Sequence, residues 1–304
     1  MPDANSKKPL YNLEARLRAL GNLDNSFIVG IFDCCRDAFD QSIFPPAVTK
    51  GIVGKQNTEV ETEKGRNVFL IFGCPSNKSV PATSKIATQF FEIIQQAKAE
   101  NECILLPDAA NFFNAWTPNF QEAENGEKIL IMSKPLHMFG PFPQSPQSES
   151  AAVKGASQVF DYSRMEGRFF KPDVKICFIV CNEHYDKLRK LPEFAQKHEF
   201  GSLVNKLQYP DMPRAREWAD EFEQGIKEYG IFPVQIRRYN DADIDTIFSA
   251  IWNARYRIGD NAELGLRTLL LFFYAGYGVS VRGNTSALFN SDIRSYEINQ
   301  RHLE

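Results

Sequence analysis

The chain is short of most features that announce a function. Among its 304 residues no apolar run approaches the roughly 18 that a membrane helix requires; the longest, Leu269 to Ala275, is strand-sized. There is no excess of positive charge. Thirty-five Lys and Arg stand against 38 Asp and Glu, for a net charge of −3 and a pI near 5.9, which offers no basic field for nucleic acid or an anionic membrane. The first ten residues, MPDANSKKPL, are polar with no apolar core behind them, so no secretory leader is expected. The six cysteines (Cys34, Cys35, Cys74, Cys103, Cys177 and Cys181) match no zinc spacing, and a chain this long needs no disulfide staples. Four of them lie within or at the ends of apolar runs, where a thiol behaves as a small hydrophobe. These gaps together lead to the expectation of a cytoplasmic protein in a reducing compartment, without a metal or a cofactor.

What is present is an alternation of strands and helices. Six short apolar runs read as buried strands: Phe27–Phe32, Val68–Phe72, Ile129–Met132, Ile176–Val180, Phe232–Ile236 and Leu269–Tyr274. Most are unbroken, which suits a parallel sheet covered on both faces. Helical spacing joins Ile86, Phe90, Ile93, Ile94 and Ala97, then Trp218, Phe222, Ile226 and Tyr229, then Ile244, Ile247, Phe248 and Ile251. Leu13, Leu17 and Leu20 predict a helix near the N-terminus, with Gly21 as its stop. Elements of this size in this order predict a doubly wound α/β sheet. Residues 140–156, rich in Pro, Ser, Gln and Gly, read as an exposed linker, and residues 50–66 as a long surface loop.

Two strand ends carry chemistry. In Phe32-Asp33-Cys34-Cys35-Arg36-Asp37 an apolar strand runs into a carboxylate, two thiols and a guanidinium. Ligands bind at the carboxyl ends of strands in such sheets, and a thiol near a cation there is placed to act as a nucleophile. Taken alone, the segment also reads as core thiols flanked by surface charges. The second end is Phe272-Phe273-Tyr274-Ala275-Gly276-Tyr277-Gly278, where two glycines let the backbone bend and approach a ligand closely. A plain strand-to-loop turn is its alternative. Gly276, Gly278 and Gly283 do not give the spacing of a dinucleotide loop, and no phosphate loop is present elsewhere.

Taken together, the two segments resemble the peptidase C14 family of caspases, metacaspases and paracaspases. In that family one strand ends in Y-[SA]-G-H-G and its neighbour in D-x-C, often followed by Arg or His. Tyr274–Gly278 is similar to the first with one substitution, and Asp33–Arg36 is similar to the second in full, so the nucleophile falls on Cys35 and not on Cys34. The resemblance implies an α/β three-layer sandwich, a mostly parallel six-stranded sheet with helices on both faces. The order of the parts is inverted. Residues 173–304 resemble the beginning of the family's domain, ending after the Gly-Tyr-Gly strand, and residues 1–139 resemble its remainder from the cysteine strand onward. Residues 140–172 would then be the linker, and the two parts one domain. A circular permutant and a piece of a tandem array both fit this order, and the single complete set of strands favours the permutant.

The substitution falls on the general base. In the family an imidazole takes the thiol proton and later protonates the leaving amine, for which its pKa near 6.5 is suited. Tyr277 stands in its place, and a phenol with an ordinary pKa near 10 stays protonated at neutral pH. The oxyanion hole maps to the amides of Gly278 and Cys35. Asp33 resembles the carboxylate that lets metacaspases and paracaspases accept Arg or Lys. The expected partners are therefore peptides or proteins with basic residues, and related domains in a homo- or hetero-oligomer; neither nucleic acid nor membrane is expected. Of the four histidines, His184 follows the first strand of the second part and is the best spare base, whereas His137, His198 and His302 read as surface residues. An impaired peptidase and a working Arg/Lys-directed one with an unusual base both remain open.

Overall fold

The computed structural model describes residues 10–34, 37–38, 67–74, 86–99, 104–106, 127–132, 136–139, 170–186, 211–228, 235–281 and 284–288. In chain order their elements are β1 (Leu10–Tyr11), α1 (Leu13–Leu20), β2 (Ser26–Cys34), β3 (Asp37–Ala38), β4 (Asn67–Phe72), α2 (Ile86–Ala99), β5 (Ile104–Leu106), β6 (Glu127–Met132) and β7 (Leu136–Phe139). These are followed by β8 (Val174–Cys181), α3 (Arg214–Glu228), β9 (Gln235–Asn240), α4 (Ile244–Glu263), β10 (Thr268–Gly276), β11 (Gly278–Val281) and β12 (Asn284–Leu288).

The main sheet runs β6-β4-β2-β10-β8-β9. Its five strands from β4 to β9 are mutually parallel, and β6 lies antiparallel on the β4 edge. Strands from both parts of the sequence therefore share one sheet, which is an α/β arrangement. The two central strands, β2 and β10, are buried at all nine positions, which explains their unbroken apolar sequences: both faces of a parallel strand are covered.

Each face has its own core. Phe27, Val29 and Ile31 of β2 pack with α2 and with Trp218, Phe222 and Ile226 of α3 on one side. Ile28, Phe32 and Cys34 pack with Leu13, Leu17 and Leu20 of α1 and with Ile244, Ile247 and Ile251 of α4 on the other. Phe222 stacks on Phe273 at 4.3 Å, and each such buried ring contributes roughly 2–3 kcal/mol. The ends are pinned by polar groups. Asn12 and Asp243 cap α1 and α4, accepting from the amides of Ala15 and Thr246. Arg238 of β9 reaches Asp220 and Glu223 of α3, at 2.5 and 3.1 Å.

Several sequence expectations need correction. Of the strand expected over Phe232–Ile236, residues 232–234 lie outside the described range, and the described strand is Gln235–Asn240, four residues beyond the expected end. It is an edge strand, half exposed, so its own sequence is polar. Gly21 does end α1, yet its φ of −69° is not left-handed. Its lack of a Cβ serves packing instead, because a Cβ would run into the Val68 side chain. Helix α4 extends to Glu263, well beyond the periodicity that announced it. A second sheet, β1-β12-β11-β3, and the pair β5-β7 were not anticipated. His137 lies in β7, as register partner of Leu105. The linker over 140–156, the loop over 50–66, Cys103, His198 and His302 fall outside the described residues.

Candidate functional site

The positions that carry chemistry gather at the carboxyl edge of the main sheet. The winding of the sheet says why that edge matters. From β8 the chain passes through α3, on one face, to β9 on the outer side; it then returns through α4, on the other face, to β10 on the inner side. The direction reverses between β8 and β10, and a crevice at such a reversal is where parallel sheets bind ligands.

The two segments singled out from sequence end side by side. Strands β2 and β10 are adjacent and parallel, in register from Thr268↔Ser26 to Gly276↔Cys34. Cys35 and Arg36 follow the end of β2 and lie outside the described residues. Cys34 is fully buried in the α1/α4 core, on the face of Ile28 and Phe32. Asp33 has the opposite parity and therefore shares a face with Phe27, Val29 and Ile31. It too is fully buried, which excludes the reading of Asp33 as a surface charge.

Tyr277 leaves the end of β10 half-buried, and its backbone is held from both sides. Its amide donates to the Tyr185 hydroxyl at 2.9 Å, and its carbonyl accepts from the Tyr274 hydroxyl at 2.7 Å. The Tyr185 ring lies 4.9 Å from the Tyr277 ring, tilted by 59°. Burial drives both supporting phenols, Tyr185 and Tyr274, far above the ordinary tyrosine range, so they act as neutral hydrogen-bonding groups. Gly276 makes this clamp possible. Its φ is +153°, and a Cβ there would stand 2.8 Å from the Tyr185 hydroxyl, 2.9 Å from that of Tyr274 and 3.2 Å from Asn182 Cβ. Gly278 opens β11 as register partner of Ala287.

His184 sits beyond the end of β8, half exposed, and it is not a solitary surface residue. Its Nδ1 is 2.7 Å from Asp241 Oδ2, and its amide donates to Asp241 Oδ1 at 2.8 Å, as does that of Glu183 at 2.7 Å. The bond to Asp241 raises the imidazole's pKa above its usual value. Burial works against the charge on Asp241, but the amide and ring bonds from His184 and the Glu183 amide outweigh it and keep that carboxyl below its usual range. Asp241 takes a left-handed φ of 46°, which turns its carboxylate back over the end of β8. Glu183 forms an ion pair with Arg216 at 3.0 Å, outside hydrogen-bond angles. Glu183, His184 and Asp241 are the described residues whose donor atoms could surround a cation, all within 4.8 Å of one another, but each is already committed to the contacts just given.

Neither buried thiol on β8 can act as a nucleophile. Burial pushes Cys181 up to about 12 and Cys177 further still. Sequence reasoning missed Tyr185 and Asp241 as parts of this edge. The signal for Asp241 was faint: two aspartates precede α4, and the cap needs only Asp243. No family model matches the chain, and no match was found among the curated proteins or the solved structures.

Proposed function

We propose that the chain is a caspase-like protein of the peptidase C14 type whose proteolytic activity is impaired or lost. It would act in the cytoplasm by binding basic peptide segments or protein partners at the carboxyl edge of its sheet. The observation that carries this reading is the register Gly276↔Cys34, because the residue that follows each in sequence, Tyr277 and Cys35, is the one the family resemblance assigns to general base and nucleophile. Membership of one sheet by strands from both parts of the sequence supports a permuted single domain over a fragment of a tandem array.

The chemistry then follows from what Tyr277 can do. A phenol that holds its proton at neutral pH neither takes the thiol proton nor returns one to a leaving amine. Loss of general acid–base catalysis costs on the order of 10²–10⁴ in rate. The clamp fixes the backbone of Tyr277 at the carboxyl edge of the sheet. Asp33 is the carboxylate that would meet Arg or Lys, and as it is fully buried, a bound basic side chain must displace whatever covers it.

A second reading, a working Arg/Lys-directed peptidase, is favoured by the His184–Asp241 pair. A carboxylate on Nδ1 fixes the tautomer that leaves Nε2 able to accept a proton. Strand order counts against it: Asp241 follows β9, three strands from β2, or about 14 Å at the usual spacing, so it draws the ring away from the cysteine strand.

Turnover of Arg- and Lys-peptide substrates separates the two. The first reading expects negligible turnover, unchanged by Cys35→Ala, and a gain of tenfold or more on Tyr277→His. Efficient turnover by the native chain that is abolished by Cys35→Ala and by His184→Gln would establish the second. Binding of an Arg-rich fluorescent peptide, followed by anisotropy, should weaken in Asp33→Asn under either.

A further inference from the structure

The carboxyl ends of β2 and β4 bring two thiols together. The pairing of these strands holds a constant offset, from Ile28↔Val68 to Phe32↔Phe72, and the amide of Gly73 donates to Phe32 O at 2.8 Å, carrying the ladder one step further. Cys74 lies two residues beyond the last register pair, as Cys34 does on β2. The Cys74 thiol donates to the Cys34 carbonyl, with Sγ 3.5 Å from the oxygen. Neighbouring strands stand about 4.8 Å apart, within the roughly 4.4–6.8 Å between Cα atoms over which a disulfide spans. Both thiols are reduced and buried.

We propose that Cys34 and Cys74 form a redox-sensitive dithiol that a small hydroperoxide converts to a disulfide. The Cys74 thiolate attacks the peroxide, breaking the O–O bond, to give a sulfenic acid and one molecule of alcohol or water. The Cys74 proton goes to the departing alkoxide or hydroxide; the Cys34 thiol then displaces the sulfenic hydroxyl, which leaves as water with the Cys34 thiol proton. Two electrons pass from the thiols to the peroxide, and one S–S bond forms. Cys74 lies just past the last residue of β4, at a bend, where the small displacement needed to bring the sulfurs into bonding geometry is easiest. Burial slows the attack, so the reaction waits on fraying of the strand ends. The dithiol rests on the β2–β4 pairing and the Cys74–Cys34 contact and is independent of any peptidase activity.

The test uses the full chain treated with hydrogen peroxide, denatured, alkylated and mapped by mass spectrometry without reduction. The expected result is a cross-linked peptide pair joining Cys34 to Cys74, two fewer alkylatable thiols, and full reversal by dithiothreitol. The link should persist in Cys35→Ser, which separates it from the neighbouring thiol and from the peptidase reading, and should be absent in Cys74→Ser. Recovery of Cys34 and Cys74 both alkylated after oxidation, or linkage of Cys74 to any other cysteine, would overturn the proposal.

Discussion

The carboxyl edge of the main sheet has two unlike halves, and their difference is one of solvent. Around the ends of β10 and β2 the groups are Tyr274, Tyr185, Cys34 and Asp33, all fully buried, and the hydrogen bonds run between phenols and the backbone of Tyr277. Around the ends of β8 and β9 the groups are His184, Glu183, Asp241 and Arg216, partly or largely in water, and the contacts are charged. A buried neutral bond is costly to break because no water replaces the lost partner, whereas an exposed charged one is screened and partly rehydrated. The first half should therefore govern stability and shape, and the second should respond to pH.

Gly276→Ala gives the largest expected effect. The substitution meets a φ of +153° and two hydroxyls at under 3 Å, so something in the clamp must yield, at a cost of about 3 kcal/mol. Urea denaturation measures it. Combining it with Tyr185→Phe sharpens the test, since removing one obstructing hydroxyl should make the double variant less unstable than the sum of the two. Additive losses would mean that the alanine is accommodated elsewhere.

Tyr185→Phe comes next. It removes the hydroxyl that accepts from the half-buried Tyr277 amide and should cost about 1.5 kcal/mol. Asp241→Asn keeps an oxygen for the two amides at the exposed end and should cost less, about 1 kcal/mol. The comparison between halves breaks if the order is reversed in the same denaturation series.

How far this edge was legible in sequence depended on the kind of signal. Buried strands such as Phe27–Phe32 and Leu269–Tyr274 have apolar runs because both their faces are covered, and these runs located the core of β2 and β10. The same criterion missed residues 237–240 of β9, since an edge strand with half-exposed residues carries Arg, Tyr and Asn. The Gly-Tyr-Gly turn was readable from composition, and Gly276 does occupy a backbone conformation that side chains resist. What holds Tyr277 was not readable, because Tyr185 is 92 residues away and approaches only through the β8–β10 pairing. His184 and Asp241 are 57 apart for the same reason. Patterns along a chain report burial and turns, whereas partners across strands appear only once the strand order is known.

The smallest expected effect lies at the exposed half and concerns pH. His184 titrates above its ordinary value because Asp241 accepts its bond, so the sign is fixed. The pair's contribution is complete below the unfolded value of about 6.5 and is lost as pH rises through the higher folded value. Stability should then decline slightly from mildly acidic to mildly alkaline solution in the native chain, and less so in His184→Gln. Nuclear magnetic resonance of the imidazole gives the direct reading. In Asp241→Asn its titration should move down toward that of a free histidine, and an unmoved titration would mean that Glu183 and Asp211, the other carboxylates acting on the ring, hold the proton instead. With those two still in place, only a charge on Asp241 that acts through the 2.7 Å contact can produce a drop, so the shift measures that one contact.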